Sequence, residues 1–465
     1  MNPSPSSAPI VSAGADRDLF DQSALSDLAQ RLVEAAKRAG ADAADAVAVR
    51  GISQGVEIRD GRVEESERSE GDDVGLRVLV GRRQAVVSTN DVSGDGAAKL
   101  AERAVAMARV APDDKYVGLA DPALLAKSFA DLDLLDPDVP ATAELERRAL
   151  EAEAAALAVK GVTKSGGASA SAGIGGMVLV TSTGFHGSYL RSSQGISATA
   201  ICGEGTGMER DYDFTSALHA ADLISPEKIG GSAGERAVKR ANPRKVGTCR
   251  VPVVFDPRVA GSLVGHLVGA INGASIARKT SFLKDRLGQQ LFASDIRIVD
   301  DPLRRRGLRS QTFDAEGVAV KKLAIIEAGV LTSWLLDCAT ARELGLTTTG
   351  HAHRGVSSSP SPGPYNLHLE AGSATPAELI ANIKQGFYVT DLIGSGVNGV
   401  TGDYSRGASG FWIENGEIAY PVSEVTIAGH LLEIFKSLVP ANDLEFRYGV
   451  NAPTVRIEGL TLGGR

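Results

Sequence analysis

With 465 residues, 43% of them hydrophobic and 23% charged, the chain has the bulk of roughly two to three soluble domains, which excludes a disordered or membrane-embedded polypeptide. A formal net charge of -8 repels a nucleic-acid backbone and argues against nucleic acid as partner; Arg304-Arg305-Arg306, the densest basic run, reads as a solvated turn after Asp300-Asp301-Pro302. Cys202, Cys249 and Cys338 are odd in number, far apart and in no CxxC pair, which argues against a disulfide framework or a cysteine zinc site and fits a reducing cytoplasm.

Residues 1–20 are rich in Ser, Pro and Ala and lack a basic region followed by an apolar core, so a disordered tail is expected there rather than a targeting signal. No stretch approaches the about 18 uninterrupted apolar residues of a membrane span. From Asp21 to Gly40, Leu25, Leu28, Leu32, Val33 and Ala36 recur at helical spacing, and Gly40 is positioned as a stop. Short β-type stretches follow at residues 46–50, 56–59, 76–80 and 85–88, divided by Gly51, Asp60-Gly61 and Gly81, and they read as an antiparallel meander. Helical patterns return from Ser93 to Val110 and from Ala141 to Val159, before β-type sequence through residues 178–180 and 196–198. One more helix spans Ser225 to Ala241, and Asn242-Pro243-Arg244-Lys245 then leads into a strand at residues 250–255. The expected organisation is α+β, with an N-terminal α/β domain over 21–244 and a β-rich C-terminal domain over 245–465. In the latter, a helix starts at Asp256-Pro257, Asp as N-cap and Pro where its missing amide hydrogen costs nothing. The remainder reads mostly as strand and Gly-rich turn, with a loop from His351 to Pro364, and no repeat with a period of roughly 20 to 50 residues is evident.

Most motifs that carry chemistry fail on context. Gly394-Ser395-Gly396-Val397-Asn398-Gly399 matches GxGxxG, yet no helix opening follows to present amides to a phosphate. Gly230-Gly231-Ser232-Ala233-Gly234 matches GxSxG inside a helical pattern, where a nucleophile elbow needs an incoming strand, and Ser225-Pro226-Glu227-Lys228 reads better as an N-cap than as SxxK. None of the seven histidines is followed by Glu, which excludes HExxH. His351 and His353 form a pair with no assignable third ligand, and His266 falls on or beside the apolar face of the helix at Pro257, after Val259 and Leu263.

The run from Asp256 to His266, Asp-Pro-Arg-Val-Ala-Gly-Ser-Leu-Val-Gly-His, resembles the helix that carries HExxxH in TldD-type proteins of the TldD/PmbA family. On that resemblance the family's first His falls on Gly261, its Glu on Ser262 and its second His on His266. The catalytic member's cysteine, shortly before the last strand, has no counterpart, since no cysteine follows Cys338. Residues 56–64, 75–78, 237–240, 300–302 and 312–317, Gly350 with Arg354, and 363–367 also resemble the family, and the run from Gly402 to Ile418 resembles its PmbA/TldE branch. The resemblance implies a non-catalytic, cytoplasmic subunit with no cofactor of its own. It pairs with a TldD-type catalytic subunit holding a metal, zinc, and together they degrade or trim unfolded peptides. His266, Arg354 and Asn366 are the candidates for lining the peptide cavity. The alternatives are a regulatory protein acting on DNA gyrase, a label the family has also carried, and an independent hydrolase using Ser232.

Overall fold

The computed structural model describes residues 21–91 and 96–464, so the tail expected at residues 1–20 lies outside the described residues. The first amphipathic pattern forms α1 (Ser23–Arg38), which buries Leu25, Leu28, Leu32 and Val33 and stops before Gly40, at φ 99°. The meander follows as β1 (Ala43–Arg59), β2 (Arg62–Val80) and β3 (Arg83–Thr89). Its strands are far longer than the sequence stretches: Gly51 does not break β1 but pairs in register with Gly71 of β2. Asp60 and Gly61, at φ 52° and 71°, make the two-residue hairpin turn between β1 and β2, where positive φ at both positions matches strand twist.

After α2 (Gly96–Val110), the same order of helix, three strands and helix recurs in α3 (Thr142–Ala158), β4 (Val162–Thr181), β5 (His186–Cys202), β6 (Glu209–Ala217) and α4 (Pro226–Lys239). The six strands form one antiparallel sheet, β3-β2-β1-β4-β5-β6, in which the two halves meet at β1 and β4. Because side chains alternate along a strand, Ala44, Ala46, Val74 and Leu76 pack with α1 and α2, while Val56, Ile58, Ala170 and Ile196 pack with α3 and α4. All are even-numbered, so the four helices cover a single face. The other face turns to the C-terminal half, where Val47 and Leu179 join Phe185 and Phe313.

The C-terminal half contains β7 (Cys249–Phe255), α5 (Pro257–Ile271), α6 (Gly273–Ala277), β8 (Ile298–Asp300), β9 (Leu323–Glu327), β10 (Val330–Leu331), α7 (Cys338–Leu344), β11 (Ala352–His353), β12 (Ser361–Pro362) and β13 (Leu367–Leu369). Then come α8 (Pro376–Ala381), β14 (Gln385–Ile393), β15 (Asp403–Glu414), β16 (Glu417–His430), α9 (Leu431–Ser437), β17 (Val439–Pro440), β18 (Val450–Asn451) and β19 (Val455–Gly463). One sheet runs β16-β15-β14-β7-β19-β17, and β16 also pairs with β19, so β16, β15, β14, β7 and β19 close into a barrel. A second sheet, β10-β9-β8-β13-β18, lies beside it. On α5, Leu263, Val264 and Leu267 enter the same core as Val253 of β7, Phe387 of β14 and Ile457 of β19.

Candidate functional site

Three local features seat α5. The Asp256 carboxylate accepts the Arg258 amide at 3.0 Å, Pro257 occupies the first helical turn, and Arg258 Nη1 reaches Asp211 Oδ1 of β6 at 2.7 Å. At Gly261 a Cβ would lie 3.0 Å from the carbonyl oxygen of Val450, so β18 rests directly on the backbone there. The preceding segment is braced on Asn451: its Oδ1 accepts the amides of Arg447 and Tyr448 at 3.0 and 2.9 Å, and its Nδ2 donates to the Tyr448 carbonyl at 2.7 Å. The Ser262 hydroxyl is turned back on the helix and donates to the Val259 carbonyl at 2.6 Å.

His266 meets Tyr404 of β15 edge to face, ring centroids 5.7 Å apart. Its Nε2 and the Tyr404 hydroxyl are both buried without a hydrogen-bond partner among the described residues. Burial, and behind it the charge of Arg406, lowers the imidazole pKa to about 4, so the ring is neutral at neutral pH. A catalytic zinc requires about three protein ligands and a base for its water. Here α5 offers one imidazole, a serine committed to its own helix and a glycine with a neighbouring carbonyl against it. Among the described residues, no three His, Cys, Asp or Glu side chains are placed to hold a metal ion. The residues present do not fit the metal set.

The other two candidates lie elsewhere. Arg354, with 3% of its side chain exposed, pairs with Asp45 of β1 at 2.5 Å, and Asp45 also receives Arg77 of β2 at 2.5 Å. Glu316 stands 3.9 Å from Arg77, which completes a buried ion cluster across the two halves. Burial alone would raise the Asp45 carboxyl, but Arg354 and Arg77 together outweigh it and hold the group below its ordinary range. Arg354 is thus engaged in joining the halves. Asn366 uses its whole amide on its neighbours: Oδ1 accepts from Arg309 N, and Nδ2 donates to the Asp301 carbonyl and the Ser310 hydroxyl. His266, Arg354 and Asn366 have separate sets of partners rather than one shared site.

His351 and His353 do share a neighbour, with Tyr365 at ring distances of 5.3 and 4.6 Å, and His351 Nε2 lies 3.4 Å from Asp300 Oδ2. Ser232 sits within α4, away from any strand-to-helix elbow, and the Gly394 to Gly399 run connects β14 to β15.

The chain matches three descriptions of one family: PmbA/TldA metallopeptidase domain 1 over residues 44–108, the central domain over 133–241 and the C-terminal domain over 248–464. It is 38% identical over 417 residues to Metalloprotease PmbA of Escherichia coli O157:H7, covering 89% of this chain and 90% of that protein. This chain belongs to the TldD/PmbA family. Among solved structures of the fold, a protein from Bacteroides thetaiotaomicron named as a modulator of DNA gyrase aligns with TM-score 0.88 and 27% identity, over 94% of this chain and 98% of that one. TldE from Thermococcus kodakarensis has the same fold, with TM-score 0.83 and 19% identity over 94% of this chain and 100% of that one.

For a TldD/PmbA chain, what sequence reasoning passes over is the pairing at the seam: it singles out Arg354 but not its partner Asp45. Asp45 and Arg354 are 309 positions apart, and no local pattern announces such a pair. Of the Arg304 to Arg306 run, read as a solvated turn, two residues are engaged: Arg305 and Arg306 reach Asp133 at 2.9 and 2.5 Å, and Arg306 reaches Asp222 at 3.1 Å.

Proposed function

We propose that this chain is the non-catalytic subunit of a TldD/TldE-type heterodimeric metallopeptidase that degrades or trims unfolded peptides in the cytoplasm. A TldD-type partner holds the metal, zinc, and this chain helps to enclose the site. The observation that carries the reading is α5, where Gly261 faces the Val450 carbonyl, Ser262 bonds its own helix and His266 is the single imidazole. On this reading the activity in the name of the Escherichia coli relative belongs to the assembly of two chains. Extended peptide would be held by backbone hydrogen bonds along an open strand edge, which tolerates any sequence because every residue except proline offers the same groups. The outer edge of β2 from Arg62 to Asp73 is the edge proposed, since β3 pairs with β2 only from Val74 onward.

The test is hydrolysis of an unstructured peptide by this chain alone, by a TldD-type chain alone and by the mixture, each with and without chelator. The expected result is chelator-sensitive turnover confined to samples containing the TldD-type chain and raised by mixing. Metal-dependent turnover by this chain alone would overturn the reading. The name of the Bacteroides thetaiotaomicron structure favours a second reading, a regulator that binds the gyrase protein. Copurification with gyrase in place of a TldD-type chain would select it.

A further inference from the structure

Between β6 and the segment after β8 lies a cavity of about 300 Å³, with Ser216, Asp222, Arg304, Phe446 and Tyr448 in its wall. Arg304 is a surplus cation at this seam. Its neighbours Arg305 and Arg306 are neutralised by Asp133 and Asp222. Asp301, which acts on Arg304 only through space, caps the Leu303 amide at 3.0 Å and faces Lys322 at 3.9 Å. The Arg304 guanidinium itself has no ion pair or hydrogen bond among the described residues. Its Cζ stands over the Phe446 ring, 3.4 Å from the centroid, and that ring is backed by His368 at 4.9 Å. Stacking uses the face of a guanidinium and leaves its in-plane N–H edge free for a planar acceptor. A half-buried cation whose nearest counter-charge acts only through space is a costly arrangement that a bound anion relieves.

The ligand class follows from the rest of the wall. The hydroxyls of Ser216 and Tyr448 make no hydrogen bond among the described residues, so they are available as donors, whereas Asn366 beside them has already committed both of its amide hydrogens. Phe446 and Ala217 supply an apolar side. A volume of this size suits a small ligand or a chain end better than a continuous strand. Tyr448 stands two residues before Val450, so an occupant lies beside the segment that rests on Gly261.

We propose that this cavity binds the free C-terminal carboxylate of a short peptide, with Arg304 as the bidentate partner and the Ser216 and Tyr448 hydroxyls as further donors. The proposal rests on the peptide-handling reading above and adds to it the group by which the peptide end is held.

Binding is measured on the full chain by titration with one unstructured hexapeptide as free acid and as C-terminal amide, and with inorganic phosphate. The free acid is expected to bind about tenfold more tightly than the amide, the scale of one charge-assisted bidentate contact. Arg304→Gln should abolish that preference and Arg304→Lys should keep part of it. Equal binding of acid and amide by the unaltered chain, a comparison that needs no variant to fold, would overturn the proposal. So would phosphate binding more tightly than the acid peptide, or a preference that survives in Arg304→Gln. The same two peptides in the mixed hydrolysis assay separate this proposal from its premise. Equal stimulation of turnover on both peptides sinks the cavity and leaves the subunit role. Acid-selective binding without any stimulation sinks the subunit role and leaves the cavity.

Discussion

His266 keeps a ring nitrogen away from water with no protein group to bond it, and the cost of that arrangement depends on pH. Burial first, and Arg406 second, lower its pKa from 6.5 to about 4. The folded imidazole therefore resists a proton that the unfolded chain accepts. As pH falls through 6.5 toward 4 the unfolded state binds more protons, so stability is complete above this window and declines within it. His353, lowered to about 4 mainly by burial, acts with the same sign. The expected outcome for His266→Leu is a smaller loss of unfolding free energy between pH 7 and pH 5 than in the unaltered chain, measured by urea denaturation. An unchanged difference would mean that His266 titrates normally in the fold. Helical periodicity put this residue beside the apolar face of its helix, and there the local information ends. Tyr404 and Arg406 arrive from β15, which no spacing around His266 announces.

Among the elements, the helices were the most legible and the strands the least complete. α1, α2, α3, α4 and α5 all lie where periodicity and capping residues put them, because a helix closes its hydrogen bonds within itself. Ser225 caps α4 through a bond accepted from the Lys228 amide, as its sequence context implied. Strands complete their bonds with distant partners, so short β-type stretches understate them: residues 46–50 and 56–59 are parts of one 17-residue strand. Four short helices, α6 to α9, escaped notice in a region read as strand and turn. The GxSxG match has a packing explanation. A Cβ at Gly230 would lie 1.9 Å from the Ala152 carbonyl oxygen, and one at Gly234 would lie 2.7 Å from Val159 Cγ2. These glycines let α4 touch the backbone of α3, and Ser232 lies between them. Although Ala is the better helix former, Gly230→Ala should destabilise the fold by about 1–3 kcal/mol through overpacking, read as a lower denaturation midpoint. A stabilised variant would show that the contact between the two helices yields easily.

On the scale of the whole molecule, the decisive features are closures between distant parts. Asp45 holds both Arg77 and Arg354, so its neutralisation would leave two buried guanidinium groups with only Glu316, 3.9 Å from Arg77, to offset them. Asp45→Asn is expected to cost about 3–5 kcal/mol, the range for breaking one side of a buried pair, and to be seen as a shift in the chemical denaturation midpoint. A loss below about 1 kcal/mol would indicate that water reaches the cluster. The stretch between α2 and α3 adds to the same seam with no regular structure beyond one short 3₁₀ turn at Pro122–Leu124. Ala126 donates to the Gly317 carbonyl, Leu124 accepts from Ala319, and Leu132 accepts from the Arg306 amide, each at about the length of an ordinary backbone bond. Nothing in its composition distinguishes such a segment from a free linker.

The sequence by itself determined the α+β class, the family and the residue types at Gly261, Ser262 and His266 of α5, since these reside in local periodicity and in which residue types are present. Tertiary structure alone decided what fills those positions: the Val450 carbonyl against Gly261, the closure of the barrel by β16 and β19, the commitment of Arg354 to Asp45, and the isolation of Arg304 above Phe446. Each of these joins residues far apart in the chain. Such contacts are selected by the packing and electrostatics of the finished fold, and a short stretch of sequence holds only one side of them.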